Sequence, residues 1–346
     1  MASLRDAVMA RKGIRPRRDG NIARADEPRC VEPLVPHLRI GYKAPVPDLS
    51  LLLLTLLWGS TFTLVKVAME IASPGLFLAL RFGLAAAVLG LVALWRRDKV
   101  GPGFWRDGLL IGLTMFVGFA FQTAGLRFTT PARSGFITGL SVLFVPFITH
   151  FTLGRPVRWT AWAGVGLAVA GAALLAQPFD DAAHPGQSLG DLLTLGSAVA
   201  YALQITLTSE WSHRHPLVPF TLLQVAVVVA GALVMIPLEG ARLDATRWPE
   251  LGGVVAFTGL VMTAAAFFVM NWAQRHTAAV RAALIYALEP VSAALFSWAI
   301  IGEQLGVAGW AGGGLIILGV VAGEVGGAWQ ARLVAAAEEP PGPYPS

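Results

Sequence analysis

Residues 127–171 read RFTTPARSGFITGLSVLFVPFITHFTLGRPVRWTAWAGVGLAVAG, and residues 275–319 read RHTAAVRAALIYALEPVSAALFSWAIIGEQLGVAGWAGGGLIILG. Laid over one another at a displacement of 148 residues, they match Arg127 with Arg275, Thr129 with Thr277, Arg133 with Arg281, Leu140 with Leu288 and Gly154 with Gly302. Trp162 then falls on Trp310, Gly164 on Gly312, Gly166 on Gly314 and Gly171 on Gly319. Tryptophans and glycines rarely coincide this way by chance. The chain is read as an internal duplication, and duplicated membrane halves are typical of secondary transporters.

The composition agrees with a membrane setting. The chain has 346 residues, 55% of them hydrophobic and 14% charged, with a mean hydropathy of +0.63. Soluble domains carry about a quarter charged residues. The charge here gathers in the first 48 residues and in short breaks between apolar runs, as it must if each run is to cross hydrocarbon. The basic pI near 9.8 arises from scattered residues without aromatic interleaving or a recognition motif, which argues against a nucleic-acid partner. A single cysteine, Cys30, excludes an internal disulfide framework and any multi-cysteine metal site.

A helix needs about 20 apolar residues to span the bilayer, and the sequence predicts an all-α membrane protein with ten such spans. The first repeat, residues 49–176, supplies spans at Leu49–Ala68, Pro74–Trp95, Gly108–Leu126, Pro131–Leu153 and Trp159–Ala176. The second repeat, residues 189–328, supplies Leu189–Thr208, Leu217–Pro237, Leu251–Trp272, Ala279–Ile301 and Val307–Ala328. Residues 1–48 are expected to form a flexible basic tail with no export-signal core, although an amphipathic surface helix near Ala2 to Arg18 is a second reading. Residues 329–346 are expected to form a short flexible C-terminal tail.

Loop charges suggest the orientation, because Lys and Arg are retained on the cytoplasmic side. With the N-terminus inside, the basic tail, Arg96, Arg97, Lys99, Arg106, Arg155, Arg158, Arg214, Arg275, Arg281 and Arg332 share one face. The other face holds Arg127, Arg133, Arg242 and Arg247. Five spans per half invert the second repeat relative to the first and return the C-terminus to the cytoplasm. Two inverted halves can exchange conformations and so alternate access to a central site.

Trp58 to Phe62 (WGSTF), Leu80 to Phe82 (LRF), Thr130 to Gly139 (TPARSGFITG) and the stretch from Leu288, Glu289 and Pro290 to Gly302 and Glu303 resemble the drug/metabolite transporter superfamily, in particular its EamA-type members. The resemblance covers about residues 49 to 328. It implies a ten-helix carrier of two inverted repeats, a central cavity, and export of amino acids, nucleosides, drugs or other small metabolites. The first repeat departs from the pattern, with Arg155 where the second has Glu303.

Glu289 is the sharpest candidate residue. It lies about ten residues into the ninth span, roughly 15 Å deep at 1.5 Å per residue, where a carboxylate is costly and marks a functional site by default. Pro290 weakens the helix beside it. As a functional group it would bind a cationic part of the substrate or carry a coupling proton; as a structural one it would fix helix packing. Arg81, in the second span, is suited to neutralising Glu289 or to holding a substrate carboxylate, and equally to snorkelling toward an interface.

Trp58 and Tyr201 correspond if Asp48 is aligned with Asp191, and aromatic walls suit a cavity for ring-bearing solutes, though packed-core aromatics are the alternative. Gln122, Thr138, Ser141, Gln204 and Gln224 are polar residues in apolar spans, suited either to lining the path or to interhelical hydrogen bonds. Arg133 and Arg281 take equivalent places at the mouths of the fourth and ninth spans, as interfacial anchors or as a pair of gates. Glu303 is read as a cap, and His150 as a lone packed or gating histidine.

Gly309, Gly313, Gly319 and Gly323, with Gly164 and Ala168, form small-residue faces suited to close helix contacts within the scaffold or to a homodimer. The zincin, phosphate-loop and nucleophile-elbow motifs are absent, which argues against an enzyme; no cofactor or metal is expected. The partners implied are a small-molecule substrate and membrane lipid. The competing reading is a non-transporting polytopic protein, either a lipid-acting enzyme or an assembly factor.

Overall fold

The computed structural model describes residues 46–129, 131–176, 187–301 and 306–338. Among the described residues, eight helical stretches are long and apolar enough to cross a bilayer: Val46–Ile71, Pro74–Arg96, Phe104–Gly125, Arg133–Leu153, Ser188–Arg214, Leu217–Glu239, Ala245–Gln274 and Ala279–Phe296. Two shorter apolar helices, Trp159–Leu174 and Val307–Gly323, complete the set of ten. They are numbered below as spans one to ten in chain order. The protein is all-α; among the described residues an isolated antiparallel bridge joins Ala72 to Leu243.

The surface is that of a lipid-immersed bundle. Leu94, Trp95, Phe151 and Leu238 each expose more than 70% of their area, which suits hydrocarbon rather than water. Trp95, Trp105 and Trp159 are exposed beside Arg96, Arg106 and Arg158, the arrangement of an interfacial aromatic belt. Local signals set the ends: Pro74 opens span two, and Gly154, at φ 62°, closes span four.

Several boundaries shift by a few residues from the sequence expectation, span three for example starting at Phe104 rather than Gly108, and two bear on the tails. The last helix runs from Val307 to Glu338, past the expected end at Ala328, because the Ala-, Arg- and Val-bearing run after the apolar window has good helix propensity and meets no breaker before Pro340. Hydropathy marks where a span leaves lipid, not where its helix stops. Residues 46–48, placed in the N-terminal tail, form the first turn of span one. The rest of that tail, and Gly302 and Glu303, lie outside the described residues.

The inversion is visible in how spans five and ten cross. A β-carbon on Gly164 would stand 2.6 Å from the Gly319 carbonyl oxygen, and one on Gly171 would stand 2.5 Å from that of Gly312. Gly164 and Gly312 are partners in the duplication, as are Gly171 and Gly319. Each glycine therefore touches the mirror of the other, which is what an antiparallel crossing on a local two-fold axis produces. The small-residue faces foreseen for close contacts meet one another inside the chain.

Hydrogen bonds bring several of the basic residues together at one end. Arg155 and Arg214 both pair with Glu210, Arg106 pairs with Asp107, Asp107 bonds to His215, and Arg275 donates to the His215 carbonyl. At the opposite end Arg242 donates to the Met69 carbonyl, and Arg247 pairs with Glu70.

Among the described residues, four spans are interrupted. Span one breaks at Ser60, between helices Val46–Gly59 and Thr61–Ile71, and span four at Leu140, between Pro131–Gly139 and Ser141–Leu153. Span nine breaks between Ala279–Tyr286 and Glu289–Ile301, at Leu288, the duplicate of Leu140. Span eight contains a π-helical segment, Leu260–Ala265. The offset between halves is 143 residues at Trp105/Trp248, which begin spans three and eight, and 148 at Phe119/Phe267. The extra length in span eight is thus taken up across the stretch that holds the wider π-turn.

Candidate functional site

The interruptions surround a cavity of about 70 Å³. Discontinuous helices at mid-membrane are where transporters build binding sites, since freed backbone groups and re-aimed side chains are tolerated only beside a cavity. Glu289, Arg81, Trp58, Tyr201, Gln122, Thr138, Ser141 and Gln204 all line it, so the structure brings together the eight residues selected as binding candidates. Gln224 and His150 stand apart from it. Gln224 is buried in a reciprocal amide pair with Asn271, at 3.3 and 3.2 Å, and His150 is exposed with its ring edge against Phe151.

The lining comes in duplicate pairs. At the 148-residue displacement Phe119 mirrors Phe267, Gln122 mirrors Met270, Thr138 mirrors Tyr286, and Ser141 mirrors Glu289; all eight line the cavity. In the 143-residue register of spans one and six, Trp58 mirrors Tyr201, Thr61 mirrors Gln204, and Phe62 mirrors Ile205, and these line it too. The cavity therefore sits on the relation between the halves. Phe119, Phe267, Tyr286 and Met270 were not selected from the sequence, yet Tyr286 and Met270 are the mirrors of two residues that were. The same displacement was the signal that would have found them.

The two charged groups arise where the halves differ. Glu289 opposes Ser141, and Arg81 opposes Gln224. Arg81 is 3% exposed, its guanidinium lying 5.4 Å from the Phe82 ring centre and 5.2 Å from that of Phe119. Its Nε donates to Thr263 Oγ1 at 2.8 Å, and that hydroxyl donates to the Thr258 carbonyl at 2.8 Å. Thr263 belongs to the π-helical segment, as does Met262, whose carbonyl accepts from Trp58 Nε1 at 3.3 Å. The irregular turn thus holds two cavity residues at once, a recurrent use of π-turns. Nothing in the Leu260–Ala265 side chains announces it.

A polar rail crosses the cavity wall: Tyr201 Oη donates to Gln122 Oε1 at 3.1 Å, and Gln122 Nε2 donates to Thr138 Oγ1 at 3.0 Å. Gly118 makes room for it, because a β-carbon there would collide with the Tyr201 ring. On the other side Trp58 is tilted against Phe267 and Tyr286, at centroid distances of 5.6 and 5.7 Å. Tyr286 Oη accepts from Gln274 Nε2 at 3.0 Å.

Arg133 and Arg281 lie outside the cavity, in two matching clusters. Asp191, at the start of span six, accepts from Thr129 Oγ1 at 2.9 Å and pairs with Arg133 at 2.8 Å. Asp48, at the start of span one, accepts from Thr277 Oγ1 at 3.1 Å and pairs with Arg281 at 2.9 Å. Each arginine and threonine holds the aspartate of the other repeat, one cluster at each end of the bundle.

The family model described as the EamA-like transporter family matches this chain twice, over residues 46–177 and 188–322. The chain belongs to the EamA-like transporter family. It is accordingly a multi-pass membrane transporter. A protein of Archaeoglobus fulgidus named as an uncharacterized transporter is 32% identical, over 81% of this chain and 86% of that one. The S-adenosylmethionine/S-adenosylhomocysteine transporter of Chlamydia trachomatis serovar L2 is 25% identical, over 77% of this chain and 86% of its own length. The inner membrane transporter YedA of Escherichia coli is 26% identical, over 79% and 88%. A solved crystal structure shares the fold of this EamA-like chain, with a TM-score of 0.63 at 19% identity, over 80% of this chain and 96% of that one.

Proposed function

We propose that this EamA-like chain is a secondary carrier of the inner membrane that exports a small metabolite by alternating access, with both termini in the cytoplasm. The observation that carries the reading is the mirrored lining: the walls of the cavity come from corresponding positions of two inverted halves, so that equivalent helices face it from either side. The solute is of amino-acid, nucleoside or drug-like size. The name of the Chlamydia relative supports a solute of that kind, since S-adenosylmethionine combines a flat base with charged groups. Glu289 serves as the site for a cationic group or for a coupling proton.

The aspartate clusters suggest which bodies move. Span six packs on spans three and four, and span one on spans eight and nine, each set bolted by one Asp–Thr–Arg cluster. The rocking units are therefore mixed, each taking its first helix from the opposite repeat. The test is counterflow with the purified full chain in liposomes: saturable, counterflow-stimulated uptake that Glu289→Gln abolishes is expected. No solute movement from a broad metabolite extract would sink the carrier reading.

A further inference from the structure

The polar groups that the fold leaves unanswered gather in one place. Among the described residues ten buried side-chain nitrogen or oxygen atoms have no hydrogen-bond partner, and six of them lie at the end of the bundle assigned above to the cytoplasm. Thr208 Oγ1, Ser209 Oγ and Ser212 Oγ follow one another along the last turns of span six, His215 Nδ1 sits just beyond, and Gln274 Oε1 and Arg275 Nε close span eight. The two stretches touch: the Ser212–Arg214 turn packs on the Ala266–Gln274 helix, and Arg275 Nη2 donates to the His215 carbonyl at 2.7 Å. Thr208, Ser212, His215 and Gln274 are at most 5% exposed. Buried polar groups are nearly always bonded, so six exceptions side by side call for an explanation.

The cluster continues the cavity wall. Gln204 and Ile205 on span six and Met270 on span eight line the cavity; four residues further along the same helix faces stand Thr208, Ser209 and Gln274. In the other half the equivalent route is part of the cavity, since Val65 and Leu126, the mirrors of Thr208 and Gln274, line it. Ser212 and His215 are mirrored by Met69 and Ala72, and Ser209 by Lys66, whose ammonium group is engaged by the Leu126 and Thr129 carbonyls. The leg toward the outer end is thus mainly apolar and joined to the cavity, while its counterpart bears hydroxyls and an amide and is packed shut. His215 closes it: Nε2 lies 2.9 Å from Asp107 Oδ2 at the start of span three, and the ring packs on Phe104 and Phe220 at centroid distances of 5.8 and 4.7 Å.

We propose that Thr208, Ser209, Ser212 and Gln274 line the cytoplasmic leg of the transport path, and that the His215–Asp107 bond is the latch that shuts it. This rests on the carrier reading and its orientation. Groups left unpartnered while the leg is shut gain water or solute as partners when it opens, so the shut state carries a cost that opening relieves. The latch opposes that release. It belongs to one half alone, because Ala72 stands where the second half has His215, and the two ends of the path are therefore released by different chemistry.

The experiment uses the full chain with Cys30→Ser, which removes the single native cysteine, and adds Thr208→Cys, Ser209→Cys and Ser212→Cys one at a time. A membrane-impermeant maleimide is applied to inverted vesicles, from the cytoplasmic side. Thr206→Cys is the control, two residues back on the opposite face of the helix, where the native hydroxyl bonds to the Ala202 carbonyl. Each path variant should label about tenfold or more faster than the control. Adding His215→Phe, which keeps the ring packing and removes the bond to Asp107, should speed labelling about threefold or more, the worth of one hydrogen bond; His215→Gln, which retains a donor, should do so less. Should one cysteine variant fail to fold, the other two decide. Labelling no faster than that of Thr206→Cys, or a rate that His215→Phe leaves unchanged, overturns the proposal. Counterflow by the Cys30→Ser parent separates the two readings: counterflow while the path cysteines stay unlabelled leaves the carrier standing and removes this path, and labelling without counterflow does the reverse.

Discussion

The Asp191 cluster should be the stronger of the two bolts, and a double-mutant cycle can measure the difference. Arg133 and Asp191 side chains are 17% and 21% exposed, whereas Arg281 and Asp48 are 49% and 26% exposed. Exposed pairs contribute about 0 to 1 kcal/mol, while breaking a buried one costs about 3 to 5. The Asp191–Arg133 pair sits between these limits, for which a coupling of about 1.5 kcal/mol is expected; the wetter Asp48–Arg281 pair falls near 0.5 kcal/mol. At about 1–2 °C per kcal/mol for a chain of this size, the first cycle should show a coupling of about 1.5–3 °C and the second about 0.5–1 °C. The assay is the unfolding temperature in detergent of Asp191→Asn, Arg133→Gln and the double variant, beside Asp48→Asn, Arg281→Gln and theirs. Additivity within about 0.5 kcal/mol at Asp191, or a larger coupling at Asp48, would refute the reasoning. High salt should shrink the Asp48 coupling more, since exposed charges are screened more.

Three further outcomes follow from the packing. Gly164→Val should sharply lower the yield of folded protein, because the added carbons meet the Gly319 carbonyl; Gly166→Val, on the same helix with open space around it, should express normally. Gly118→Ala should leave the fold in place and cut the counterflow rate at least tenfold, since the methyl displaces Tyr201 and with it the Gln122–Thr138 rail; an unchanged rate would show that Tyr201 does not shape the path. Thr263→Val removes the acceptor for Arg81 Nε and should weaken solute uptake, while Thr263→Ser, which keeps the hydroxyl, should retain most of it; equal behaviour of the two would separate the π-turn from Arg81.

The duplication made much of this legible in advance. Apolar runs of about 20 residues located the spans, the echo at 148 residues showed that they repeat, and polar residues in those runs pointed at Glu289, Arg81, Gln122 and Thr138, since hydrocarbon leaves them few places to face. Gln224 obeyed the same rule but found Asn271 instead, and periodicity cannot tell a lining amide from a paired one. The Asp48 and Asp191 bolts were missed for a different reason. Their partners lie 229 and 62 residues away for the threonine bonds, and a contact between different repeats leaves no local pattern. The π-turn is likewise set by what it holds, Arg81 and Trp58, rather than by the Leu260–Ala265 side chains themselves.

The glycine crossing of spans five and ten carries one more consequence. A rotation that exchanges two mirrored conformations moves every atom except those on the axis that relates them. The Gly164–Gly319 and Gly171–Gly312 contacts straddle that axis, so under the alternating access proposed above this crossing would be the still point of the cycle, the same contact serving both orientations. Damage there is felt as failed assembly rather than slowed turnover, and a covalent link made there would be silent to transport.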